Sequence, residues 1–172
     1  FFFKQKTAYE ISTRDWSSDV CSSDLACAGG PGVQPGQTAA QAEQQFGRAP
    51  TARYALAGGG TRLEYASGPY GRETWMVDLD VGGHVAGVTQ ALGEAQFAAF
   101  QARGPGLPRD ELLHLLGTPG ERRGVWRGGE IWAWRYPTND CLWFQVTLDR
   151  EGRVKDSGYG PDPRCDAPND RN

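Results

Sequence analysis

The chain has 172 residues, with 18 Lys and Arg against 21 Asp and Glu and a formal net charge of −3. This balance offers no excess of cations for nucleic-acid phosphates, so we expect no nucleic-acid partner. No apolar run approaches the ~20 residues that a membrane-spanning helix needs, and the length suits one ordinary domain or two very small ones.

Residues 1–25 resemble translated sequencing adapter. With one choice of codons, residues 15–25 give one part of a common sequencing-library adapter, residues 4–11 give its flow-cell end, and residues 12–14 fall at its variable index. The first residue is Phe1 rather than Met. We therefore treat 1–25 as a non-native segment, expect it to be disordered and leave it out of the fold prediction. The alternative is a genuine N-terminal segment rich in Ser and Asp.

Cys27 heads the remaining sequence, and residues 26–35 are mostly small, Pro or Gln with no hydrophobic pattern. This segment resembles the cleavage site and tether of a bacterial lipoprotein, whose signal peptide would have preceded it. Two acyl chains anchor a protein stably, since each buried methylene adds about 0.8 kcal/mol. We therefore predict lipidation of Cys27 and a location at the periplasmic face of the bacterial outer membrane. The alternative is a chance cysteine in a loop.

The cysteines near the C-terminus suit an oxidising compartment. Cys141 begins an apolar run, and Cys165 lies in a segment without periodicity. A Cys141–Cys165 disulfide would attach that segment to the last sheet and contribute about 3 kcal/mol in the chain-entropy model. The alternative is two free structural thiols. Metal binding is disfavoured because the sequence has no Cys-x-x-Cys or His-rich spacing.

Two segments share a polar start, an apolar end and a Gly followed by Pro, at 36–50 and 106–119. Each pattern predicts a short helix, with Thr38 as the N-cap of the first and Gly47 and Gly117 as the glycines that end them. Residues 90–102 predict a further short amphipathic helix, which we expect to pair with the helix near 106–119 on one sheet.

Three strands are predicted after each helix of the repeat, at 61–65, 74–80 and 84–88 and again at 131–136, 141–149 and 153–157. An Asp-x-x-Gly turn joins the last two strands of each set, and its aspartates, Asp80 and Asp149, are 69 residues apart. The spacing predicts an α+β fold of two tandem helix-plus-antiparallel-sheet units, with short helices packed on one face of each sheet. The units are predicted at 36–89, the more divergent copy, and 90–160, followed by a tail at 161–172.

Residues 90–160 resemble the SmpA/OmlA (BamE-like) family of small outer-membrane lipoproteins. The resemblance is carried by the turn-helix-Leu-Gly-x-Pro segment at 106–119, the strand at 129–136 and the hairpin at 144–154. It implies two helices on a three-stranded antiparallel sheet, and a role as an accessory subunit of the machine that inserts β-barrels into the outer membrane. The tandem form also resembles secreted β-lactamase inhibitory proteins, whose paired sheets make a concave, aromatic-lined binding face. Both resemblances concern architecture, and function does not transfer with architecture.

The sequence shows no catalytic constellation. His84 follows a hairpin turn and His114 lies in a helix, and neither has a Ser, Cys or Glu partner at a meaningful spacing. Both are predicted to be surface or half-buried histidines. Asp78 and Asp80 are predicted to face solvent or to begin the turn rather than to hold a metal. We therefore predict no enzyme activity, no metal and no cofactor.

Large aromatic side chains crowd the second copy: Trp126, Trp132, Trp134, Tyr136, Trp143 and Phe144. Strand alternation places Trp132 and Trp134 on one face of the sheet and puts Trp143 opposite Phe144. If Phe144 packs under the helices, Trp143 projects from the other face beside Arg135, and an exposed Trp with Arg is typical of binding hot spots. We predict protein binding by Trp132, Trp134, Arg135 and Trp143. The alternative is that the outer face packs against the first copy.

Three functions follow from these observations. The first is a non-enzymatic, lipid-anchored envelope protein that binds an outer-membrane or periplasmic protein through a sheet face and assists outer-membrane assembly or envelope integrity. The second is an inhibitor-like module that plugs an enzyme cleft with loops such as 66–73 or 137–140. The third is an enzyme of unknown class that depends on His84 or His114.

Overall fold

The computed structural model describes residues 31–67, 72–126 and 128–165. Within these residues the fold is mixed α/β, with three helices and two four-stranded antiparallel sheets. This arrangement is consistent with two tandem units. The predicted adapter-derived segment, the predicted lipidation site Cys27 and residues 166–172 lie outside the described residues.

The first unit is one helix on one sheet. Its elements are α1 (Ala39–Phe46), β1 (Ala52–Ala55), β2 (Thr61–Ser67), β3 (Glu73–Leu79) and β4 (Val85–Gln90), with the strands in chain order across the sheet. Thr38 is the predicted N-cap: its hydroxyl accepts from the Gln41 N–H while the Gln41 side chain accepts from the Thr38 N–H. The helix ends at Gly47, whose φ of 66° is left-handed. Phe46 then stacks on Tyr65 of the sheet at 3.8 Å.

The second unit has a helix pair on its sheet. Its elements are α2 (Glu94–Arg103), α3 (Arg109–Leu116), β5 (Glu121–Gly124), β6 (Glu130–Arg135), β7 (Leu142–Leu148) and β8 (Val154–Pro161), again with the strands in chain order. The predicted pairing of these helices on one sheet is confirmed. Phe97 of α2 stacks on Phe144 at 4.1 Å, and Leu112 and Leu116 of α3 are buried in the same core.

Equivalent backbone contacts recur in the two units. Isolated bridges join Thr38 to His84 in the first and Pro108 to Arg153 in the second. The Asp-x-x-Gly turns close with the same bond, from Gly83 N–H to Asp80 O and from Gly152 N–H to Asp149 O, each 3.1 Å long. Strand register is interrupted at matching places, between Asp78 and Leu79 and between Thr147 and Leu148. The predicted sequence repeat therefore has a counterpart in the backbone.

Two edge strands, β1 and β5, were not predicted. The three strands predicted for each unit, which for residues 90–160 the family resemblance also implies, are therefore one too few, because each sheet has four. Each extra strand has four residues, and all of these are exposed or half-buried. Such a short strand carries no clear alternation of apolar and polar residues, so the sequence pattern does not reveal it.

The helix pair of the second unit also contacts the outer face of the first sheet. Arg62 of β2 donates from Nη1 to the His114 carbonyl at 2.6 Å, and the Tyr54 ring lies 5.0 Å from the His114 ring. The helices α2 and α3 are therefore placed between the two sheets. Among the described residues, no helix has the length and apolar content needed to cross a membrane.

Candidate functional site

Trp132 and Trp134 lie in the core of the second unit. They pair across the sheet with Val146 and Phe144, so all four side chains share the face that α2 and α3 cover. Both Trp side chains are 0 % exposed, and Trp134 donates from Nε1 to the Gly117 carbonyl at 3.1 Å. A partner cannot reach them while the unit is folded. The prediction that these two residues bind a partner is therefore corrected: they are core residues.

Trp143 lies on the opposite face beside Arg135, as strand alternation predicts, but it is 0 % exposed rather than projecting into solvent. The guanidinium carbons of Arg123 and Arg135 lie 4.7 and 4.9 Å from the centre of its ring. Stacked guanidinium groups are favourable over indole and also hide it. The prediction of an exposed Trp143 is therefore wrong, because alternation gives the face of a side chain but not what covers it.

Arg135 is 7 % exposed and forms a two-pronged ion pair with Asp162, which follows β8. Its Nη2 donates to Asp162 Oδ1 at 2.8 Å, and its Nε donates to Oδ2. These hydrogen bonds hold the pKa of the Asp162 carboxyl below its usual value and raise the pKa of Arg135. Arg135 is therefore committed to a contact within the chain, which corrects the prediction that it is an open binding residue.

The predicted disulfide between Cys141 and Cys165 is present, with the two Cα atoms 5.8 Å apart. The Asp162 N–H donates to the Cys141 carbonyl at 2.8 Å, so the bridge and the ion pair hold the same short segment. Beside them is a cavity of about 490 Å³, whose lining includes Arg72, Thr138, Asn139 and Arg164. Arg72 belongs to the first unit, so this cavity is formed by both units.

Among the described residues, the largest exposed aromatic side chain is that of Trp126, which sequence reasoning grouped with the other aromatics without assigning it a role. It lies in the turn between β5 and β6 and is 92 % exposed. The turn is closed by hydrogen bonds from Val125 N–H to Gly129 O and from Gly128 N–H to Val125 O. The position of Trp126 in a Gly-rich turn, outside any strand, is the sequence signal for this exposure.

The turn between β1 and β2 has the same hydrogen bonds. Leu56 N–H donates to Gly60 O, and Gly59 N–H donates to Leu56 O. Residue 57 is therefore the equivalent of residue 126, and it is Ala57. Three nearby positions carry arginine in the second unit but not in the first. Arg109 stands where the first unit has Ala39, Arg150 where it has Val81, and Arg153 where it has His84.

Arginine side chains also lie at the end of the second sheet that carries the β5–β6 and β7–β8 turns. The guanidinium carbons of Arg122 and Arg109 lie 4.3 and 5.3 Å from the Trp132 ring centre, and Arg109 Nη2 donates to Glu130 Oε1 at 3.1 Å. A cavity of about 330 Å³ lies between the start of α3 and the β7–β8 turn, lined by Arg109, Asp110, Arg150, Glu151 and Arg153 among others. This end thus combines a protruding ring with a polar depression.

His84, Asp80 and Asp78 make local contacts within the first unit. His84 Nδ1 lies 3.8 Å from Asp80 Oδ1, and both side chains are about half exposed. The Asp80 carboxylate accepts from the N–H groups of Gly82 and His84, which lower its pKa, the His84 bond most. Asp78 binds Arg62 through both oxygens, at 2.6 and 2.7 Å. Within the described ranges, no three His, Cys, Asp or Glu side chains are arranged to hold a metal ion.

Glu64 joins the two units, and sequence reasoning missed it because a carboxylate in a strand is ordinarily exposed. It is 0 % exposed and accepts hydrogen bonds from Tyr54 Oη, from Thr51 Oγ1 and from the Thr118 N–H at 3.0 Å. Burial and this carboxylate together raise the pKa of Tyr54. The cluster is fully occupied by contacts within the chain and is therefore a structural contact rather than a binding site.

Comparison with known proteins gives little. No protein-family model matches the chain, and no curated protein matches it. Among solved structures it matches an extracellular protein containing an SCP domain from Bacillus anthracis, with 12 % sequence identity and a TM-score of 0.25. The match covers 95 % of this chain and 51 % of that one, so this chain spans about half the length of that protein. A likeness at this TM-score supports no conclusion about fold or function.

Proposed function

We propose that this chain is a non-enzymatic, lipid-anchored protein of the bacterial envelope that binds a protein partner through its second sheet. One observation carries the proposal of protein binding. Trp126 is 92 % exposed at a hairpin tip whose equivalent in the first unit is Ala57. Exposed Trp beside Arg is the composition of energetic hot spots in protein interfaces, and it is costly to solubility unless it is used.

The location rests on the cysteines. The Cys141–Cys165 disulfide supports a chain that folds outside the cytosol, because cytosolic thiols are kept reduced. Acylation of Cys27 would hold the chain at the outer membrane, on its periplasmic face. Mass spectrometry of the chain isolated from envelope membranes tests this directly. Acylated Cys27 is expected, and unmodified Cys27 in a soluble fraction would contradict the anchor.

Capture from solubilised outer membranes tests the binding function. The full chain is immobilised beside two variants, Trp126→Ala and the matched control Val81→Ala, which also removes an exposed apolar side chain from a hairpin turn. Components of the barrel-assembly machinery are expected with the parent and with Val81→Ala, and are expected to be depleted with Trp126→Ala. Equal recovery with all three would show that the second sheet's hairpin does not bind them.

An inhibitor-like module that binds a hydrolase is the second candidate, and one observation favours it. Arg72, at the described end of the predicted loop 66–73, lines the 490 Å³ cavity together with Thr138 and Asn139 of loop 137–140 in the other unit. A hydrolase in the eluate that is lost with Arg72→Ala and Asn139→Ala, but kept with Trp126→Ala, would favour this function. Turnover of a substrate abolished by substitution of His84 or His114 would contradict both candidates.

A further inference from the structure

We propose that the turn end of the second sheet docks a protein that offers an indole-sized apolar pocket bordered by hydrogen-bond acceptors. The proposal rests on the protein-binding function above and names its surface and the chemistry of its partner. We call this surface the Trp126 end. Its members are Trp126, Arg109, Arg122, Arg150 and Arg153.

The first unit serves as an internal control for what the fold requires. The two hairpin turns close with the same pair of backbone bonds, at 3.0 and 2.9 Å in the first unit and at 3.2 and 3.1 Å in the second. The first turn forms with Ala57 at its tip, so the backbone does not need a Trp there. The same holds for Val81, which stands where the second unit has Arg150. The backbone of the turn therefore does not explain why its tip carries the Trp126 ring.

At the Trp126 end, an exposed aromatic ring lies beside a polar cavity. Trp126 protrudes from the turn. A Cβ added at Gly128 would lie 2.9 Å from Arg150 Cγ, so the Arg150 side chain lies against the same turn. Arg150 also lines the 330 Å³ cavity, with Arg109 and Arg153. A partner that accepts the ring would thus place its own side chains over the cavity, where guanidinium groups supply the hydrogen-bond donors.

The charge of this region favours a protein over an anionic bilayer. Among the described residues, Arg109, Arg122, Arg150 and Arg153 are accompanied by four carboxylates, Asp110, Glu130, Asp149 and Glu151. In the sequence Arg127 follows Trp126 and adds one cation to this balance. Glu130 is bound by Arg109, and the Asp149 carboxylate accepts from the Arg153 N–H at 2.8 Å. Recruitment to anionic lipid needs a clear excess of cations, whereas directional donors around one aromatic ring suit a protein pocket. The observations thus favour the protein.

Site-specific cross-linking in a solubilised bacterial envelope fraction tests the surface. Benzoylphenylalanine replaces Glu151 in one full-length chain and Val81, in the matching turn of the first unit, in another. A protein adduct is expected at position 151 and not at 81. Adding Trp126→Ala to the position-151 chain is expected to lower the adduct at least about 10-fold, the loss typical of a hot-spot Trp. Raising the salt concentration is expected to change the yield little, since the region has five arginines, Arg127 included, against four carboxylates, an excess of only one cation.

The other outcomes overturn the proposal in distinguishable ways. Equal adducts at 151 and 81, or an adduct at 151 that Trp126→Ala leaves unchanged, would overturn the Trp126 end while leaving protein binding in place. A failure of the full chain to capture any protein would overturn the proposed function as well. Vesicles of phosphatidylglycerol and phosphatidylethanolamine test whether the surface binds lipid. A blue shift of Trp emission on adding them, absent in Trp126→Ala, would assign the surface to lipid instead.

Discussion

The outer faces of the two sheets occupy the same place in their units and hold different side chains. In the first sheet, Glu64 and Arg62 reach the end of α3 and bind the second unit. The register places Ala133 of the second sheet where the first has Glu64, and there the outer face holds Trp143 under two arginines. The two units therefore share a backbone, and the different side chains on their outer faces give each unit a separate role.

The hairpin tips of the two units also share a backbone and differ in their side chains. Ala57 and Trp126 follow the same backbone path, yet one leaves a small tip and the other a protruding ring. The difference cannot be a requirement of the turn. The following changes, from the largest expected effect to the smallest, test how far the two units differ.

Removing a core ring from the second unit should have the largest effect. Trp134→Ala is expected to lower the free energy of unfolding by about 3–5 kcal/mol, because it leaves a cavity under α3 and removes a donor to the Gly117 carbonyl. The first unit offers a matched control at Tyr65, whose buried hydroxyl has no hydrogen-bond partner in the described part of the chain. Tyr65→Phe should be neutral or stabilising in the same urea titration, and a loss as large as that of Trp134→Ala would contradict the comparison.

Breaking the disulfide should affect the second unit. Cys165→Ser is expected to cost about 3 kcal/mol in the chain-entropy model, since the bridge closes a loop with a sequence separation of 24. Urea unfolding with and without reductant measures the change. The reductant should destabilise the parent and leave Cys165→Ser unaffected. Equal sensitivity of both chains would show that another thiol is responsible.

Removing the buried carboxylate should loosen the contact between the units. Glu64→Ala is expected to cost about 1–3 kcal/mol, because the Thr118 N–H and the Tyr54 hydroxyl lose their acceptor. Glu64→Gln keeps an acceptor and should cost less. Hydrogen exchange at Thr118 measures the effect locally, and unchanged protection in Glu64→Ala would mean that Glu64 does not join the units.

Acid should weaken the ion pair that, together with the disulfide, holds the segment after β8. The folded pKa of Asp162 lies below its ordinary value of about 3.9, so its contribution to stability is complete above that value and is lost as the pH falls through the folded pKa. Urea midpoints at pH 7 and pH 3 measure it. Asp162→Asn should remove this part of the pH dependence, and an unchanged acid dependence would assign it to other carboxyl groups.

The smallest change in stability is expected at the Trp126 end. Trp126→Ala should alter the free energy of unfolding by less than about 0.5 kcal/mol, because the side chain makes the tip of an exposed turn. Thermal unfolding checks this. A large loss would show that the ring packs against the protein and is not held ready for a partner.

Periodicity predicted much of this fold and little of its surface. The strand predicted at 141–149 corresponds to β7, and alternation placed Phe144 and Trp143 on opposite faces of it correctly. The turn aspartates indicated the repeat. The same reasoning could not predict the ion pair between Arg135 and Asp162. The two residues are 27 positions apart in the sequence and meet only when β8 is in place. It also favoured the Trp side chains within strands over Trp126, since burial depends on what packs above a strand.

Hydrogen exchange of the partner-bound chain tests most directly the claim that one of two equivalent hairpin ends binds. The amides of residues 125–129 and 149–153 are compared with those of 56–60 and 80–84, with and without the captured protein. Protection confined to the second unit's turns, and absent with Trp126→Ala, is the predicted result. Equal protection of both pairs of turns, or protection of the first pair alone, would contradict it.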